Sequence, residues 1–227
     1  MYHQVQSLED AAAACLLLHR QGPPVVIVTS LELPKTQLGL NEGASSSAAV
    51  ELGGEGNLVM IGSCATKRWA AHQANDVTAP PANRNESSGD EEEDVRMWAL
   101  TIPKLEGAYT GTGDLTSALF LAFLTPPEDA GNGQSSSAAG SGNVGAAVAE
   151  AAVAAVPTAL RNVAGGVAAV LARTLSESGQ GAELRLVQSK RDLESPNPEA
   201  FGIGQPVQLP SDLVARARHR VQQEHGK

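Results

Sequence analysis

The chain has 227 residues, enough for one domain with a sizeable core, but 23 Gly, 13 Pro and only 3% aromatic residues indicate that part of it lies outside a core. The formal net charge of −9 at pH 7 argues against a general nucleic-acid-binding protein, because nothing would offset the repulsion from phosphates. The 2 cysteines fit neither a zinc-ligand spacing nor a disulfide framework, no apolar run approaches membrane-spanning length, and the first residues lack the basic start of a secretory signal, so we expect a cytoplasmic protein that does not bind a membrane.

The N-terminal region predicts a helix. Ser7 and Asp10 have the spacing of an N-terminal cap, and apolar residues then recur at helical spacing as far as the Gly-Pro-Pro sequence at 22–24. Cys15 lies on the apolar face and is predicted to be a core residue. We interpret His19, near the helix end, as a C-terminal cap or a surface residue.

The first predicted strand follows directly. Residues 25–28 are a short β-branched run that is apolar on both faces, which predicts a buried parallel strand. The run ends in Thr29 and Ser30. Ligands in open α/β sheets bind beyond the carboxyl ends of strands, so these hydroxyls are candidates for binding a phosphate or a nucleotide. A turn or a local cap explains the same two residues equally well.

Further elements follow from composition. Strands are predicted for residues 57–63, 96–102 and 183–187. The second of these alternates in character, which predicts a strand at the edge of the sheet or covered on one face. Helices are predicted for residues 115–124 and for a stripe that begins at Pro157. The Gly165-Gly166 pair should weaken that second helix by about 1 kcal/mol per glycine relative to alanine.

Segments of low complexity interrupt these elements. We predict insertions at about 39–56, 70–94 and 128–145, the second of which ends in an acidic run that favours a solvated loop over a metal site. A flexible tail is predicted for residues 195–227, in which the basic segment 211–227 would form a solvated helix or bind a partner.

A glycine turn at Gly111-Thr112-Gly113-Asp114 is the central motif. Two glycines around a threonine let backbone N–H groups turn inward without a Cβ in the way. A helix that starts there adds unpaired N–H groups and a dipole that favour an anion. Asp114 would then place a carboxylate beside an anion site, as phosphoryl transfer to a hydroxyl requires. An aspartate that only caps a helix gives the same pattern.

Other motifs for phosphate binding or hydrolysis are missing from the sequence. Neither the G-x-x-x-x-G-K-[ST] loop nor the G-x-S-x-G elbow occurs, and Thr116 stands where a dinucleotide fingerprint needs its third glycine. The 5 histidines have no zinc spacing. What remains is a glycine-aspartate turn that follows a strand in an α/β sheet.

The order of these parts resembles the C-terminal half of pyridoxal kinase, in the ribokinase-like superfamily. The blocks that carry the resemblance are residues 25–30 with Leu33-Pro34, residues 58–63, residues 102–104 through 111–115, and residues 183–192. The last block is the most specific, since many sugar and vitamin kinases share the glycine turn. The resemblance implies a three-layer α/β/α fold with a mainly parallel sheet over residues 1–194, from which the N-terminal half is missing.

The resemblance also implies roles for the glycine turn. Asp114 would be the catalytic base that takes the proton from the hydroxymethyl group of pyridoxal or another B6 vitamer, and Gly111 would lie with it against the vitamin. Thr112 and Gly113 would bind ATP, and the N–H groups of the turn would hold the transferring phosphoryl group.

The remaining implied roles concern the nucleotide. Thr29 and Ser30 would bind the ATP phosphates, with Thr29 also near a monovalent cation, K⁺ or Na⁺. Leu105, Glu106 and Gly107 match the segment that lies along the nucleotide. The implied donor is ATP with Mg²⁺, the product is pyridoxal 5′-phosphate in vitamin B6 salvage, and the implied assembly is a homodimer.

The chain departs from the family pattern in two respects. The family's N-terminal half, with the vitamin-ring contacts, a lid and the magnesium carboxylates, is absent from residues 1–227, and Thr116 replaces the usual aromatic residue. A half-sheet would leave a strand edge and an apolar face uncovered, so we expect a fragment of a longer product or a chain that pairs with a partner. We therefore expect weak or no activity. The alternatives are a noncatalytic nucleotide-binding or interaction module, and a kinase for a hydroxymethylpyrimidine or a sugar.

Overall fold

The computed structural model describes residues 5–38, 50–66, 94–124, 144–178 and 183–225. The predicted insertions at 70–94 and 128–145 lie almost entirely outside these residues, as does most of the insertion predicted at 39–56. The end of that first insertion is ordered: Val50–Leu52 forms strand β3, which pairs with β2 at Thr36–Leu38. Glycines 53, 54 and 56 then turn the chain, each with a positive φ angle.

The main sheet contains the other strands. They are β1 (Val25–Leu31), β4 (Asn57–Ala65), β5 (Val95–Pro103) and β6 (Val207–Gln208), in the order β1-β4-β5-β6. The strand predicted at 96–102 is therefore β5, and it is central among the described strands rather than at an edge, because β6 pairs with it at Trp98 and Ala99. Its alternation arises from polar residues near its ends, Arg96 and Thr101, while its middle is buried on both faces.

The predicted direction of the strands was wrong. Every pairing in the described sheet is antiparallel, whereas a mainly parallel sheet was expected. A strand that helices cover on both faces is apolar on both faces in either direction, so composition alone does not distinguish the two. As a consequence, β1 and β5 run in the same direction on either side of β4, and their carboxyl ends lie at the same end of the sheet.

Helices cover both faces, which confirms the predicted three-layer α/β/α architecture. Residues alternate along the strands: Val59 and Ile61 of β4 join one apolar cluster, whereas Met60 and Cys64 join the other. The helices are α1 (Leu8–Arg20), α2 (Thr112–Leu124), α3 (Val144–Ser178), α4 (Lys190–Glu194), a 3₁₀ helix (Pro198–Phe201) and α5 (Ser211–His225). Helices α1 and α5 contribute to the first cluster, and α2 and α3 to the second.

Helix α1 has the predicted cap. Its N-cap residue Ser7 accepts a hydrogen bond from the Asp10 N–H at 3.1 Å. Cys15 is buried in the core, as predicted. The surface interpretation of His19 is wrong, whereas the cap interpretation stays a prediction, because the carbonyl that its ring contacts lies beyond the end of α1. Its ring is buried, with Nδ1 2.8 Å from the Pro23 carbonyl oxygen and Nε2 2.9 Å from Ser63 Oγ.

Helix α3 is longer than predicted and contains Pro157 in its interior rather than in its first turn. The Gly165-Gly166 pair has a packing role that the sequence did not reveal. A Cβ at Gly165 would lie 2.9 Å from Cγ of Pro198, and one at Gly166 would lie 3.4 Å from Cδ1 of Leu119. Gly165 therefore lets the 3₁₀ helix approach the α3 backbone closely, whereas a Cβ at Gly166 would make an ordinary van der Waals contact.

Two predictions for the C-terminal region were wrong. Residues 183–187 do not form a strand; they are irregular and enter a turn, with Val187 86% exposed. The tail predicted to be flexible from residue 195 contains the 3₁₀ helix, β6 and α5. Helix α5 buries one apolar face, formed by Leu213, Val214, Ala217 and Val221, in the first cluster. Arg216 and Arg220 also pair with Glu9 and Asp10 of α1.

One helical stretch, Val153–Ser178, is long and apolar enough to cross a membrane by length and composition, which the sequence inspection had not found. In this structure 56% of its apolar 18-residue window is buried. The side chains of Val156 and Leu160, for example, pack against Gly62 of β4. The apolar character of this helix is thus used in packing against the sheet.

Candidate functional site

The predicted site residues lie at one end of the sheet, where β1 and β5 end and β4 begins. Val59 of β4 pairs with Leu31 of β1 on one side and with Thr101 of β5 on the other. The carboxyl ends of β1 and β5 therefore flank the amino end of β4. Thr29 and Ser30 belong to the end of β1, and the loop that carries Leu105 to Gly107 leaves the end of β5.

The end of β1 is irregular. The register of the ladder shifts between Val28 and Leu31, and Ser30 has a φ angle of 58°, a value that few residues other than glycine adopt. The side chains of Thr29 and Ser30 are exposed. A bulge of this kind re-aims side chains at the end of a strand, and unusual backbone angles of nonglycine residues concentrate at functional sites.

The loop after β5 is folded on itself. Tyr109 donates a hydrogen bond through its hydroxyl to the Glu106 carbonyl oxygen at 3.0 Å. Its ring covers Gly107, where a Cβ would lie 2.9 Å from the ring atoms and where φ is +124°. Gly107 is thus required for this loop conformation. Leu105 is half-buried and Glu106 is exposed.

The glycine turn starts helix α2, as predicted. The first helical hydrogen bond runs from the Leu115 N–H to the Gly111 carbonyl oxygen at 3.0 Å, and Gly111 has a φ angle of +88°. The N–H groups of the first turn, at Thr112, Gly113 and Asp114, precede the helical ladder and have no hydrogen bond among the described residues. The Asp114 side chain is exposed, and no Cβ contact within 4 Å would arise at Gly113. The helix start is therefore open to an anion, with a carboxylate beside it.

The most specific sequence block contacts this turn. A Cβ at Gly111 would lie 3.8 Å from Cδ1 of Leu184, in the block 183–192. Thr174 of α3 accepts a hydrogen bond from the Arg185 N–H at 3.1 Å, and Arg173 pairs with Asp192 at 2.8 Å. The two motifs that carried the family resemblance, distant in sequence, thus meet at the start of α2.

Comparisons with known proteins show a likeness to pyridoxal kinases. The chain is 28% identical over 193 residues to the curated pyridoxal kinase of Sus scrofa, an alignment that covers 85% of the chain and 44% of that protein. Two solved structures of pyridoxal kinase from Leishmania donovani, in complex with ADP and pyridoxamine or pyridoxine, are similar with TM-scores of 0.50 and 0.52 at 18% identity. Each alignment covers 91% of this chain and 46% of the solved chain. The chain is thus similar to pyridoxal kinases. No protein-family model matches it.

The pyridoxal kinase-like chain spans less than half the length of these relatives. A C-terminal half fits that extent, in keeping with the sequence blocks. The solved structures at 18% identity establish the fold, and the curated relative supplies the family likeness.

Within the pyridoxal kinase-like fold, the structure brings some predicted residues together and not others. Residues 111–114 are contiguous on the first turn of α2, and Leu105 to Gly107 lie in the loop just before it. No hydrogen bond among the described residues joins Asp114 to Thr29 or Ser30. These groups lie at the same end of the sheet and are not joined directly.

The sequence analysis did not identify the groups that connect the ends of β1 and β5. Lys104 Nζ lies 2.6 Å from Glu32 Oε1, which joins the residues just beyond β5 and β1. The turn at glycines 53–56 before β4 also stabilises this end of the sheet, because the Gly53 N–H donates to Thr101 Oγ1 at 3.2 Å. Opposite charges just after two predicted strands were the signal that could have identified the ion pair.

The described residues give little support for a metal site of protein ligands. Within the parts of the chain that the structure describes, no group of three or more His, Cys, Asp and Glu residues could hold a metal ion. Two cavities, of about 390 Å³ beside Leu186 and Leu193 and about 470 Å³ between the start of β5 and the start of α5, contain none of the predicted site residues. The candidate site is thus an open edge rather than a closed pocket.

Proposed function

We propose that this chain is a pyridoxal kinase-like phosphotransferase that transfers the γ-phosphoryl group of ATP to the hydroxymethyl group of pyridoxal or another B6 vitamer. The single observation that carries the proposal is the start of α2, where unpaired N–H groups and the exposed Asp114 carboxylate lie side by side against the block 183–192. The likeness to the curated pyridoxal kinase supplies the substrate class.

Each part of this helix start has a chemical use. The N–H groups of Thr112 and Gly113 would stabilise the negative charge of the transferring phosphoryl group, since phosphoryl transfer depends mainly on positioning and electrostatics. Asp114 would accept the proton of the attacking hydroxyl group. Gly111 would lie beside the vitamin.

The strand ends would bind the rest of the nucleotide. Thr29 and Ser30 offer exposed hydroxyls for phosphate oxygens, and Leu105, Glu106 and Gly107 would lie along the nucleotide. A monovalent cation at Thr29 would find one hydroxyl and one carbonyl oxygen there.

Magnesium does not fit this chain's described residues as a site of its own, because they provide no cluster of carboxylates. Because the chain spans less than half of its relatives, we propose that turnover by the chain alone is weak, while nucleotide binding is retained. We also propose a cytoplasmic location and a homodimer, on the family likeness alone.

Nucleotide binding and product formation test the proposal separately. ATP affinity is measured by calorimetry on the wild type and on the Thr29→Ala, Ser30→Ala double variant, and pyridoxal 5′-phosphate is quantified by mass spectrometry after incubation with ATP, Mg²⁺ and pyridoxal. We expect binding that the double variant weakens, and any product formation should fall at least about 100-fold in Asp114→Asn, the usual scale for a general base. Asp94→Asn, at the opposite end of β5, is the matched control and should leave both unchanged.

Two outcomes would change the proposal. Absence of nucleotide binding by the wild type would overturn it and leave a family likeness without function at this site. Binding without any product would favour a noncatalytic nucleotide-binding module, a candidate that the short extent of the chain supports. Hydroxymethylpyrimidine and sugar acceptors, assayed beside pyridoxal, decide between the related kinases.

A further inference from the structure

The ends of β1 and β5 have no ladder of their own between them. Each strand pairs with β4, and Val59 lies between Leu31 and Thr101. The segment with Thr29 and Ser30 and the loop with Leu105 to Gly107 therefore leave from opposite sides of β4. A ligand that contacts both needs the gap between them to be held at one width.

The regular structure fixes this gap poorly on the β1 side. The register of β1 shifts after Val28, and Ser30 has a positive φ angle. On the β5 side, the ladder reaches Pro103, and the Lys104 N–H donates to the Gly56 carbonyl oxygen at 2.9 Å. Lys104 thus has a fixed backbone position opposite an irregular strand end.

The Lys104 side chain bridges this gap. Its ammonium group donates to Glu32 Oε1 at 2.6 Å, a short charge-assisted hydrogen bond. Glu32 follows Ser30 by two residues, and Lys104 directly precedes Leu105. We propose that Glu32 and Lys104 form a clamp of positioning residues that holds the two nucleotide-binding segments at the spacing a nucleotide requires. This inference rests on the proposed function of these segments.

The exposure of the pair separates positioning from global stability. The side chains of Lys104 and Glu32 are 49% and 69% exposed, and ion pairs in water contribute little to the free energy of unfolding. Removing the pair should therefore leave the fold intact and change the width of the gap. The charge of Lys104 is already neutralised by Glu32, which favours positioning over direct binding of phosphate.

Nucleotide affinity in four variants tests the clamp. We expect Glu32→Gln and Lys104→Gln each to raise the Kd for ADP about three- to five-fold, the range that an exposed pair can supply. The charge-swapped double variant, Glu32→Lys with Lys104→Glu, should restore the wild-type Kd to within about two-fold. Glu51→Gln is the control, because it removes the comparable exposed pair with Lys35 at 2.8 Å and should leave the Kd unchanged. The midpoint of thermal unfolding should be the same in all variants.

Two results would overturn the clamp. One is an unchanged Kd in both single variants. The other is a charge-swapped double variant that binds as weakly as Lys104→Gln, because the lysine charge would then act on the nucleotide itself. If the wild type binds no nucleotide, the proposed function fails, and amide hydrogen exchange decides the clamp independently. Faster exchange at residues 104–111 in Glu32→Gln, reversed in the charge swap, supports the clamp; unchanged exchange rejects it.

Discussion

Glycines have opposite uses in the helical layer and at the candidate site. At Gly165 in α3, a Cβ would lie 2.9 Å from Cγ of Pro198 and 3.0 Å from its Cα and N atoms. At Gly113 in the turn, a Cβ would meet nothing within 4 Å. The first glycine is small because another element occupies the adjacent space, whereas the second borders open space.

This difference separates structural glycines from candidate functional ones. In the sequence, Gly165-Gly166 and Gly111-Thr112-Gly113 are both short glycine motifs beside apolar helical stretches. Packing explains Gly165 of the first pair. Nothing in the described part of the chain requires a small residue at 113, in keeping with the ligand site proposed there. Three glycine substitutions test this division, and a fourth prediction concerns pH.

The largest expected effect is at Gly165. Gly165→Ala forces its new methyl group against the backbone of Pro198, and such overpacking costs about 1–3 kcal/mol of the free energy of unfolding. Urea unfolding measures this. Gly204→Ala is the control, since a Cβ there meets nothing within 4 Å and should change the free energy of unfolding by less than about 0.5 kcal/mol. Equal effects at 165 and 204 would contradict the packing role of Gly165.

The second prediction concerns pH and the opposite face of the sheet. Burial raises the pKa of Cys15 from 9.0 to about 11, partly opposed by a hydrogen bond with Ser63. The unfolded thiol ionises from about pH 9, while the folded thiol stays neutral. The contribution of Cys15 is therefore fully present below pH 9 and is lost as the pH rises to about 11, at about 1.4 kcal/mol per pH unit.

Urea unfolding at several pH values between 8 and 11 checks this, with Cys15→Ala as the comparison. The variant should show a shallower decline of the free energy of unfolding across that window. Parallel curves for the wild type and Cys15→Ala would show that this thiol does not contribute to the alkaline loss of stability.

A smaller loss is expected at Gly62 in β4. A Cβ there would lie 3.0 Å from Cγ1 of Val156 and 3.5 Å from Cδ1 of Leu160, which are side-chain atoms that can shift. We expect Gly62→Ala to lower the free energy of unfolding by about 1 kcal/mol, less than Gly165→Ala. Chemical denaturation of the two variants in parallel gives the ranking, and the reverse ranking would show that α3 shifts more easily around Pro198 than around Val156.

The smallest effect on stability, and the opposite sign, is expected at Gly113. This residue lies in the first turn of α2, where alanine is the better helix former, so Gly113→Ala should raise the free energy of unfolding by up to about 0.5–1 kcal/mol. The same methyl group would project beside the N–H groups proposed to hold phosphate and should weaken ADP binding measured by calorimetry. A loss of stability here, or unchanged ADP affinity, would remove the distinction between the two glycine motifs.

The sequence predicted the local elements best. The cap of α1, the strands β1, β4 and β5, and the start of α2 at the glycine turn depend on neighbouring residues, and each was recognised. The strand prediction for residues 183–187 was wrong because a short run of alternating apolar residues is typical both of a strand and of an irregular segment that buries one side. The prediction of a flexible C-terminal tail was wrong because many prolines are typical of a flexible segment, and the amphipathic face of α5 was not recognised among them.

The sequence by itself determined the helical or extended state of the segments that form α1, β1, β4, β5 and the start of α2, because caps, glycines and apolar periodicity act over a few residues. Only the tertiary structure decided the antiparallel direction of the strands, the packing of Gly165 against Pro198, the burial of α5 on α1, and the meeting of Leu184 with Gly111. Each of these depends on contacts between residues far apart in the chain, whose partners no local pattern specifies.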